Sequence, residues 1–199
     1  NAPCVQTEVQ TKYNLALERG ANQPKKVRRG VLVKRLLIMR HAKSDWASGS
    51  AEDFDRPLNA RGQQDVPLLA RFLAGAAPPD LVLASAARRA QETAIRLLEG
   101  LDPTPELVLD GRLYLSTPDA LATVLAASAG DASSVVVIAH NPGVEEWASH
   151  LSGATIHLPP GAIACIESAA ESWHDVGRRQ GPLRWLITPK LLKRGTSLS

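Results

Sequence analysis

The chain has 199 residues, 44% of them hydrophobic, and a formal net charge of +3 at pH 7. This length suits one domain with a single substantial core, and no stretch approaches the roughly 20 apolar residues of a membrane span, so we expect no membrane partner. Cys4 and Cys165 are the only cysteines. Two cysteines are too few for a disulfide framework or a zinc site, which favours an intracellular, reducing location.

The basic charge is concentrated at one end of the chain. Residues 1–35 contain eight Lys or Arg against Glu8 and Glu18, a balance of +6, so residues 36–199 carry −3 of the total of +3. A basic tail on a mildly acidic body is not the charge distribution of a protein that binds nucleic acid. We therefore predict no nucleic-acid partner.

Residues 1–33 lack a sustained apolar period and contain a basic run. We predict a poorly ordered tail, either a solvated linker or the remnant of a targeting segment. Residues 34–192 are predicted to form one domain, followed by a second tail over residues 193–199. The expected location is the cytoplasm, or the plastid stroma or mitochondrial matrix if the first tail is a targeting remnant.

Short apolar runs bounded by turn-forming residues predict six strands. They cover residues 31–39, 81–84, 107–109, 135–139, 163–166 and 183–188. A polar, turn-rich loop over residues 43–58 follows the first strand. Strands alternate with helical segments along almost the whole chain. This order predicts an α/β fold, a three-layer α/β/α sandwich around a mostly parallel sheet.

The helices are predicted from capping residues and apolar spacing. They cover residues 60–74, a segment ending at 98, a segment starting at 118, and residues 142–151. Asn59, Ser85, Thr117 and Asn141 are the predicted caps of these helices, in that order. Pro67 lies inside the first helix, where we expect it to kink or shorten the early turns.

Chemically useful side chains follow three of the predicted strands. Arg40 and His41 end the first strand, Arg89 comes shortly after the second, and His140 follows the fourth. Because the carboxyl ends of parallel strands meet at one edge of a sheet, we expect these side chains to share a pocket. Two guanidinium groups and two imidazoles suit an oxyanion with more than one charge, most naturally a phosphoryl group.

Four motifs contain these residues. They read RHAKSDW over 40–46, DFDRPLNARG over 53–62, SAARRAQETA over 85–94 and HNPG over 140–143. Their order resembles that of the histidine phosphatase superfamily, and within it the phosphohistidine phosphatase SixA branch. The resemblance runs from about Leu36 to Leu192 and implies a phosphoglycerate mutase-like fold.

The resemblance also implies roles for the converging residues. His41 would be the nucleophile, forming a phosphohistidine that water then hydrolyses. Arg40, Arg89 and His140 would hold the transferring phosphoryl group. The family pattern places the catalytic arginine four residues after the serine of the third motif, which selects Arg89 rather than Arg88.

The loop after the first strand offers further candidates. Lys43, Ser44 and Arg56 are predicted to contact the phosphate or a partner, although loop polarity explains them equally well. Asp53 and Asp55 are predicted to brace the arginines. The loop is short beside those of the mutases, which suggests an open site that admits a phosphorylated side chain of another protein.

The larger mutase-like relatives carry an additional carboxylate that protonates the leaving oxygen. Here the comparable region has Tyr114 near that place, and the sequence assigns no acid. Asp45, Asp55 or Glu106 could still supply the proton from a loop. A missing acid favours phosphohistidine as substrate, because an N-phosphoryl group is already activated and an alkoxide leaves poorly without a proton.

We therefore predict a phosphatase that acts on phosphohistidine in a partner protein. A broad phosphomonoesterase for small phosphorylated substrates and a non-catalytic phosphate-binding module are the alternatives. The proposed reaction requires no metal or organic cofactor. His150, His157 and His174 have no partners at metal-ligand spacing, and we expect them to be structural or exposed.

Overall fold

The computed structural model describes residues 33–50 and 52–195. The predicted tail over residues 1–32 lies outside the described residues. All six predicted strands are confirmed, with bounds that differ from the sequence prediction by a few residues. The strands are β1 (Lys34–Arg40), β2 (Leu81–Ser85), β3 (Glu106–Asp110), β4 (Ser134–Ala139), β5 (Ile163–Ser168) and β6 (Leu183–Ile187).

The strands form one sheet in the order β3-β2-β4-β1-β5-β6. Strands β1, β2, β3 and β4 pair in parallel, whereas β5 pairs antiparallel with both β1 and β6. Only β5 therefore runs against the other five, which confirms the mostly parallel sheet. The central strands β2 and β4 are buried along their whole length, as expected for strands covered on both faces.

Helices cover both faces of this sheet. They are α1 (Ala60–Ala76), α2 (Arg88–Leu98), α3 (Pro118–Ser128), α4 (Gly143–Ser152), α5 (Trp173–Val176) and α6 (Pro189–Gly195). Alternate residues of β1 feed two separate cores, because successive side chains of a strand point to opposite faces. Leu36 packs with α3, α4 and α5, whereas Leu37 packs with α1 and α2. The three-layer sandwich is thus confirmed.

Two of the predicted helix caps are confirmed. The backbone N–H of Gly62 donates to Asn59 Oδ1 at 2.9 Å, and Thr117 caps α3 by accepting from the N–H of Ala120. Helix α1 begins at Ala60 and continues past Pro67, so of the two effects predicted for this proline, a kink or a shortening, the shortening is wrong. The predicted tail boundary at residue 192 falls inside α6.

The other two predicted caps are wrong, because each side chain has a different partner. Ser85 is the last residue of β2, and α2 begins only at Arg88 without a side-chain cap. Helix α4 begins at Gly143, and the Asn141 amide instead donates to the carbonyl of Leu158 at 3.4 Å.

Two glycines allow helix N-termini to approach the loops at the carboxyl edge of the sheet. A Cβ at Gly62, in the first turn of α1, would lie 2.2 Å from the Lys43 carbonyl oxygen. A Cβ at Gly143, at the start of α4, would lie 2.0 Å from the carbonyl oxygen of Ser116. Only glycine permits such close backbone contacts. These contacts fix the loops that surround the carboxyl edge.

Within the part of the chain that the structure describes, no helix combines the length and the apolar character needed to cross a membrane.

Candidate active site

The structure brings His41 and His140 together at the carboxyl edge of the sheet. His41 follows β1 and His140 follows β4, and these strands pair in parallel with Arg40 opposite Ala139. The His41 N–H also donates to the Ala139 carbonyl at 3.1 Å. The two imidazole rings therefore lie side by side, with their centroids 5.0 Å apart.

The tautomer of His41 follows from its hydrogen bonds. Its Nδ1 lies 2.7 Å from the carbonyl oxygen of Ala42. Because a carbonyl oxygen can only accept, we assign the ring proton to Nδ1. Nε2 then carries a lone pair, which accepts from Nε of Arg89 at 3.2 Å.

The environment of His41 keeps its ring neutral. Burial lowers the pKa of His41 to about 3, and the neighbouring charges of Arg89, Arg40 and Arg56 act in the same direction. A pKa this far below the ordinary value for histidine leaves the ring neutral, with a proton on Nδ1 only, at physiological pH. His41 thus presents an unprotonated nitrogen to a group of cations, as a nucleophile for an anionic electrophile requires.

Arg89 is the most deeply buried of the arginines around this ring, with an exposed fraction of 2%. Besides His41, its guanidinium binds Asp53, donating from Nη1 to the main-chain oxygen and from Nη2 to Oδ2 at 2.8 Å. The preceding residue, Arg88, instead pairs with Glu92 at 2.8 Å along α2. The structure therefore places Arg89, and not Arg88, beside His41.

Asp53 connects three side chains of the pocket. Its Oδ2 binds Arg89 Nη2 and the hydroxyl of Tyr114, at 2.8 and 2.9 Å, and its Oδ1 binds Arg56 Nη2 at 2.8 Å. Partial burial raises the pKa of the Asp53 carboxyl, but the Tyr114 hydrogen bond and the two arginines outweigh it and leave that pKa below its usual value. Asp53 thus braces two arginines as predicted, whereas Asp55 forms no ion pair with any described residue.

Several buried donors at the site have no partner among the described residues. They are Nε of Arg40, Nε and Nη1 of Arg56, and Nδ1 of His140. Arg40 is held through Nη1, which donates to the Leu158 carbonyl at 3.0 Å. Buried donors are nearly always satisfied in proteins, so this set, which we call the open donors, is suited to an oxyanion ligand.

His140 is oriented by Ser85, whose Oγ lies 2.9 Å from Nε2 of the imidazole. The Ser85 hydroxyl also accepts the N–H of Ala87 at 3.3 Å, and Nε2 of His140 is the one acceptor among the described residues that its hydrogen reaches. We therefore assign the ring proton of His140 to the open Nδ1. Burial, together with His41 and Arg89, lowers the pKa of His140 to about 3, so this ring is also neutral.

Of the predicted loop residues, Arg56 is brought into the pocket, where it is buried beside Asp53. Ser44 is buried too, but it pairs through its backbone with Leu58 in an isolated bridge. The carbonyl of Lys43 accepts the N–H of Asn59 at 3.0 Å. Ser44 and Lys43 thus shape the loop through their backbones.

The structure shows where Glu106 and Tyr114 lie relative to the pocket. Glu106 is the first residue of β3 and lies opposite Leu81, at the amino end of β2. It is therefore about 13 Å along the strand from the carboxyl edge, and its prediction as a proton donor is wrong. Tyr114 lies in the pocket, with its ring 5.2 Å from that of His140, and partial burial and its bond to Asp53 raise the pKa of its hydroxyl.

The remaining histidines lie at the surface. His150, His157 and His174 are exposed, as predicted. Across residues 33–50 and 52–195, no group of three or more His, Cys, Asp or Glu side chains is placed to hold a metal ion.

The sequence missed the roles of Ser85 and Tyr114. Ser85 opens the third motif, but its position before a helix favoured a capping role. Tyr114 was noted only as standing near the expected position of an acid. The one sequence signal for a hydroxyl partner of His140 was that Ser85 ends β2, the strand that lies next to β4.

The fold and the pocket are those of an α/β protein that presents an unprotonated histidine nitrogen within a group of arginines. The profile of the histidine phosphatase superfamily (branch 1) matches residues 36–114. An uncharacterized chloroplastic protein of Arabidopsis thaliana is 32% identical over 168 residues, which cover 77% of this chain and 75% of the relative. The chain belongs to the histidine phosphatase superfamily, and this membership supports a phosphatase activity.

Solved structures share the fold. A candidate phosphohistidine phosphatase SixA from Nakamurella multipartitia superposes with a TM-score of 0.70 at 24% identity, covering 79% of this chain and 96% of that one. The protein histidine phosphatase SixA complexed with tungstate superposes with a TM-score of 0.67, also at 24% identity, covering 79% and 99%. The chain thus has the phosphoglycerate mutase-like fold.

Replacing Ser85 by alanine tests the orientation of His140. We expect Ser85→Ala to weaken the binding of tungstate, a phosphate-like oxyanion, by about 10-fold, the upper range for one hydrogen bond. Isothermal titration calorimetry measures this change. Ser134→Ala is the matched control, because Ser134 is also buried but its hydroxyl has no partner among the described residues. Equal affinities of the two variants would contradict the role of Ser85.

Proposed function

We propose that this protein is a phosphatase that transfers a phosphoryl group from phosphohistidine of a partner protein to Nε2 of His41, and from there to water. The observation that carries this proposal is the unprotonated Nε2, fixed by the Nδ1–H bond to Ala42 and lying beside Arg89. A neutral imidazole nitrogen among cations is suited to attack phosphorus.

In the first step, the phosphoryl group enters between His41 and the arginines. A phosphoryl oxygen takes over the N–H of Arg89 that Nε2 of His41 accepts in the free protein. The Nε2 lone pair forms the new bond to phosphorus while the bond between phosphorus and the substrate nitrogen breaks. The substrate ring carries a proton on its other nitrogen, so it keeps the electron pair of the broken bond and departs as neutral imidazole, while the phosphorylated His41 ring takes the positive charge. The open donors of Arg40, Arg56 and His140 bind the phosphoryl oxygens and stabilise their charge.

In the second step, water attacks phosphorus and the bond to Nε2 of His41 breaks. The electron pair returns to Nε2, and inorganic phosphate leaves with the oxygen of the water molecule. A proton of that water passes to a phosphate oxygen or to solvent. The bond from Nδ1 to Ala42 holds the ring in one orientation throughout, so the same nitrogen acts in each cycle.

The ionisation of the pocket supports an N-phosphoryl substrate. Asp53 is held as a carboxylate by Tyr114, Arg89 and Arg56, so it has no proton to give to a leaving group. The Tyr114 hydroxyl already donates its hydrogen to Asp53. An alkoxide needs such a proton, whereas transfer between two imidazole nitrogens exchanges similar groups. The likeness in fold to a SixA protein that binds tungstate supports the same assignment.

We also propose a plastid location. The Arabidopsis relative is named as a chloroplastic protein, which supports this compartment over the cytoplasm and the mitochondrial matrix. Microscopy of the full-length gene product fused at its C-terminus to a fluorescent protein tests the proposal. Signal within chloroplasts is expected, and signal confined to the cytosol or mitochondria would contradict it.

The activity is tested by phosphate release from a protein carrying phosphohistidine and from p-nitrophenyl phosphate. We expect the native chain to prefer the N-phosphoryl protein, and His41→Ala to reduce that rate by at least about 10³-fold, as is usual on removal of a nucleophile. His174→Ala is the matched control, since His174 is exposed on α5, and it should retain the native rate.

Other outcomes decide between the alternatives. Release from p-nitrophenyl phosphate alone would identify a general phosphomonoesterase. Release from neither substrate, with tungstate still bound, would identify a phosphate-binding module. Either result would contradict the proposed function.

A further inference from the structure

Exposed apolar side chains border the pocket. Among the described residues, Val33, Trp46, Leu115 and Leu191 are the large hydrophobic residues that remain exposed. Trp46 is 76% exposed although it stacks on the Arg56 guanidinium, which lies 3.4 Å from its ring centroid. Leu115, 58% exposed, directly follows the pocket residue Tyr114. Two of the four thus lie next to residues of the candidate active site.

The backbone of Leu115 adds a second, independent observation. Its φ is +46°, and no other non-glycine residue in the described part of the chain has a positive φ. This left-handed conformation is unfavourable for leucine, and strained residues cluster where a protein binds its ligands. In the free protein the Leu115 side chain is not buried, and its backbone is not in a conformation that leucine prefers. A contact with a partner would stabilise leucine at this position.

Three carboxylates lie on the same loop as Trp46. Glu52 and Asp55 are exposed and Asp45 is half-buried, and none of the three forms an ion pair with a described residue. By contrast, Asp53 is fully engaged with the pocket arginines. The loop that carries Trp46 thus offers three carboxylates without ion pairs, next to a cationic pocket.

We propose that Trp46, Leu115, Asp45, Glu52 and Asp55 form a docking rim for a protein segment whose phosphohistidine is flanked by a lysine or arginine and by an exposed apolar residue. This inference rests on the proposed function, since it assumes that the pocket takes the phosphoryl group. The apolar flanking residue contacts Trp46 or Leu115, and the basic one lies beside the carboxylates. Charge complementarity with the rim thus selects the partner.

The docking rim also discriminates against other phosphorylated molecules. Small phosphometabolites carry excess negative charge and offer no apolar flank, so the outer carboxylates repel them without any contact in return. An acidic protein segment is disfavoured for the same reason. Selection by repulsion of the wrong partner, combined with contacts to the right one, is a common source of specificity.

Two peptides and one small molecule test this inference. The peptides carry one phosphohistidine next to leucine and differ only in a second neighbour, lysine or glutamate, while phosphoramidate reports the chemistry without a flank. At low ionic strength we expect the native chain to give a kcat/KM about 10-fold higher for the lysine peptide than for the glutamate peptide. At about 0.5 M salt this preference should largely disappear, because exposed charges are screened.

Variants assign the preference to the rim. Glu52→Gln combined with Asp55→Asn should reduce the lysine preference about 5-fold. The matched control is Asp131→Asn combined with Glu171→Gln, which removes the same charge from exposed positions at the opposite edge of the sheet. Each kcat/KM is divided by that for phosphoramidate, because this ratio does not change when part of a variant sample is unfolded.

Leu115 has its own matched control. Leu115→Ala should lower the ratio of peptide to phosphoramidate kcat/KM about 5-fold, mainly through KM. Leu191→Ala, which truncates an exposed leucine on α6, should leave the ratio unchanged.

The outcomes separate the docking rim from the proposed function. Hydrolysis of phosphoramidate with equal rates for the two peptides would overturn the rim alone. Failure to hydrolyse all three substrates would overturn the proposed function and the rim with it. A dimer in sedimentation experiments that Leu115→Ala dissociates would assign this surface to a second copy of the chain, and would also overturn the proposal.

Discussion

One hydrogen bond, from Nδ1 of His41 to the carbonyl of Ala42, decides which nitrogen of the site is chemically available. If the ring proton were on Nε2 instead, the three arginines around His41 would face an N–H group, and this nitrogen could not attack phosphorus. Burial and three guanidinium groups keep a second proton away, with a pKa of about 3 for His41. The sheet contributes the geometry, because the register of β1 and β4 places His140 beside this ring.

The arginines can lie so close together because Asp53 lies among them. Its carboxylate binds Arg89 and Arg56 and accepts the Tyr114 hydroxyl, so two cations share one internal anion. The anion neutralises only part of the charge and leaves Nε of Arg40 and two nitrogens of Arg56 without partners. The pocket therefore still attracts a doubly charged group.

The convergence of the pocket residues was predictable, whereas their detailed contacts were not. Apolar runs and turn residues identified all six strands, and parallel strands bring their carboxyl ends to one edge. The capping roles predicted for Ser85 and Asn141 were wrong because their actual partners, His140 and Leu158, are distant in sequence. Local pattern carries no information on such pairs. The bracing of the arginines by Asp53 was predicted, whereas its bond to Tyr114, which is also distant in sequence, was not.

The state of the His41 ring is the most direct test of this account. In protein labelled with ¹⁵N-histidine, the NMR shifts of Nδ1 and Nε2 report which nitrogen is protonated, and the spectrum of His41→Asn identifies the His41 signals. Because its pKa is lowered to about 3, the ring should carry a proton on Nδ1 and a bare Nε2 at every pH from 8 down to about 5. An imidazolium ring at pH 7, or a neutral ring protonated on Nε2, would contradict the assignment of His41 as the nucleophile.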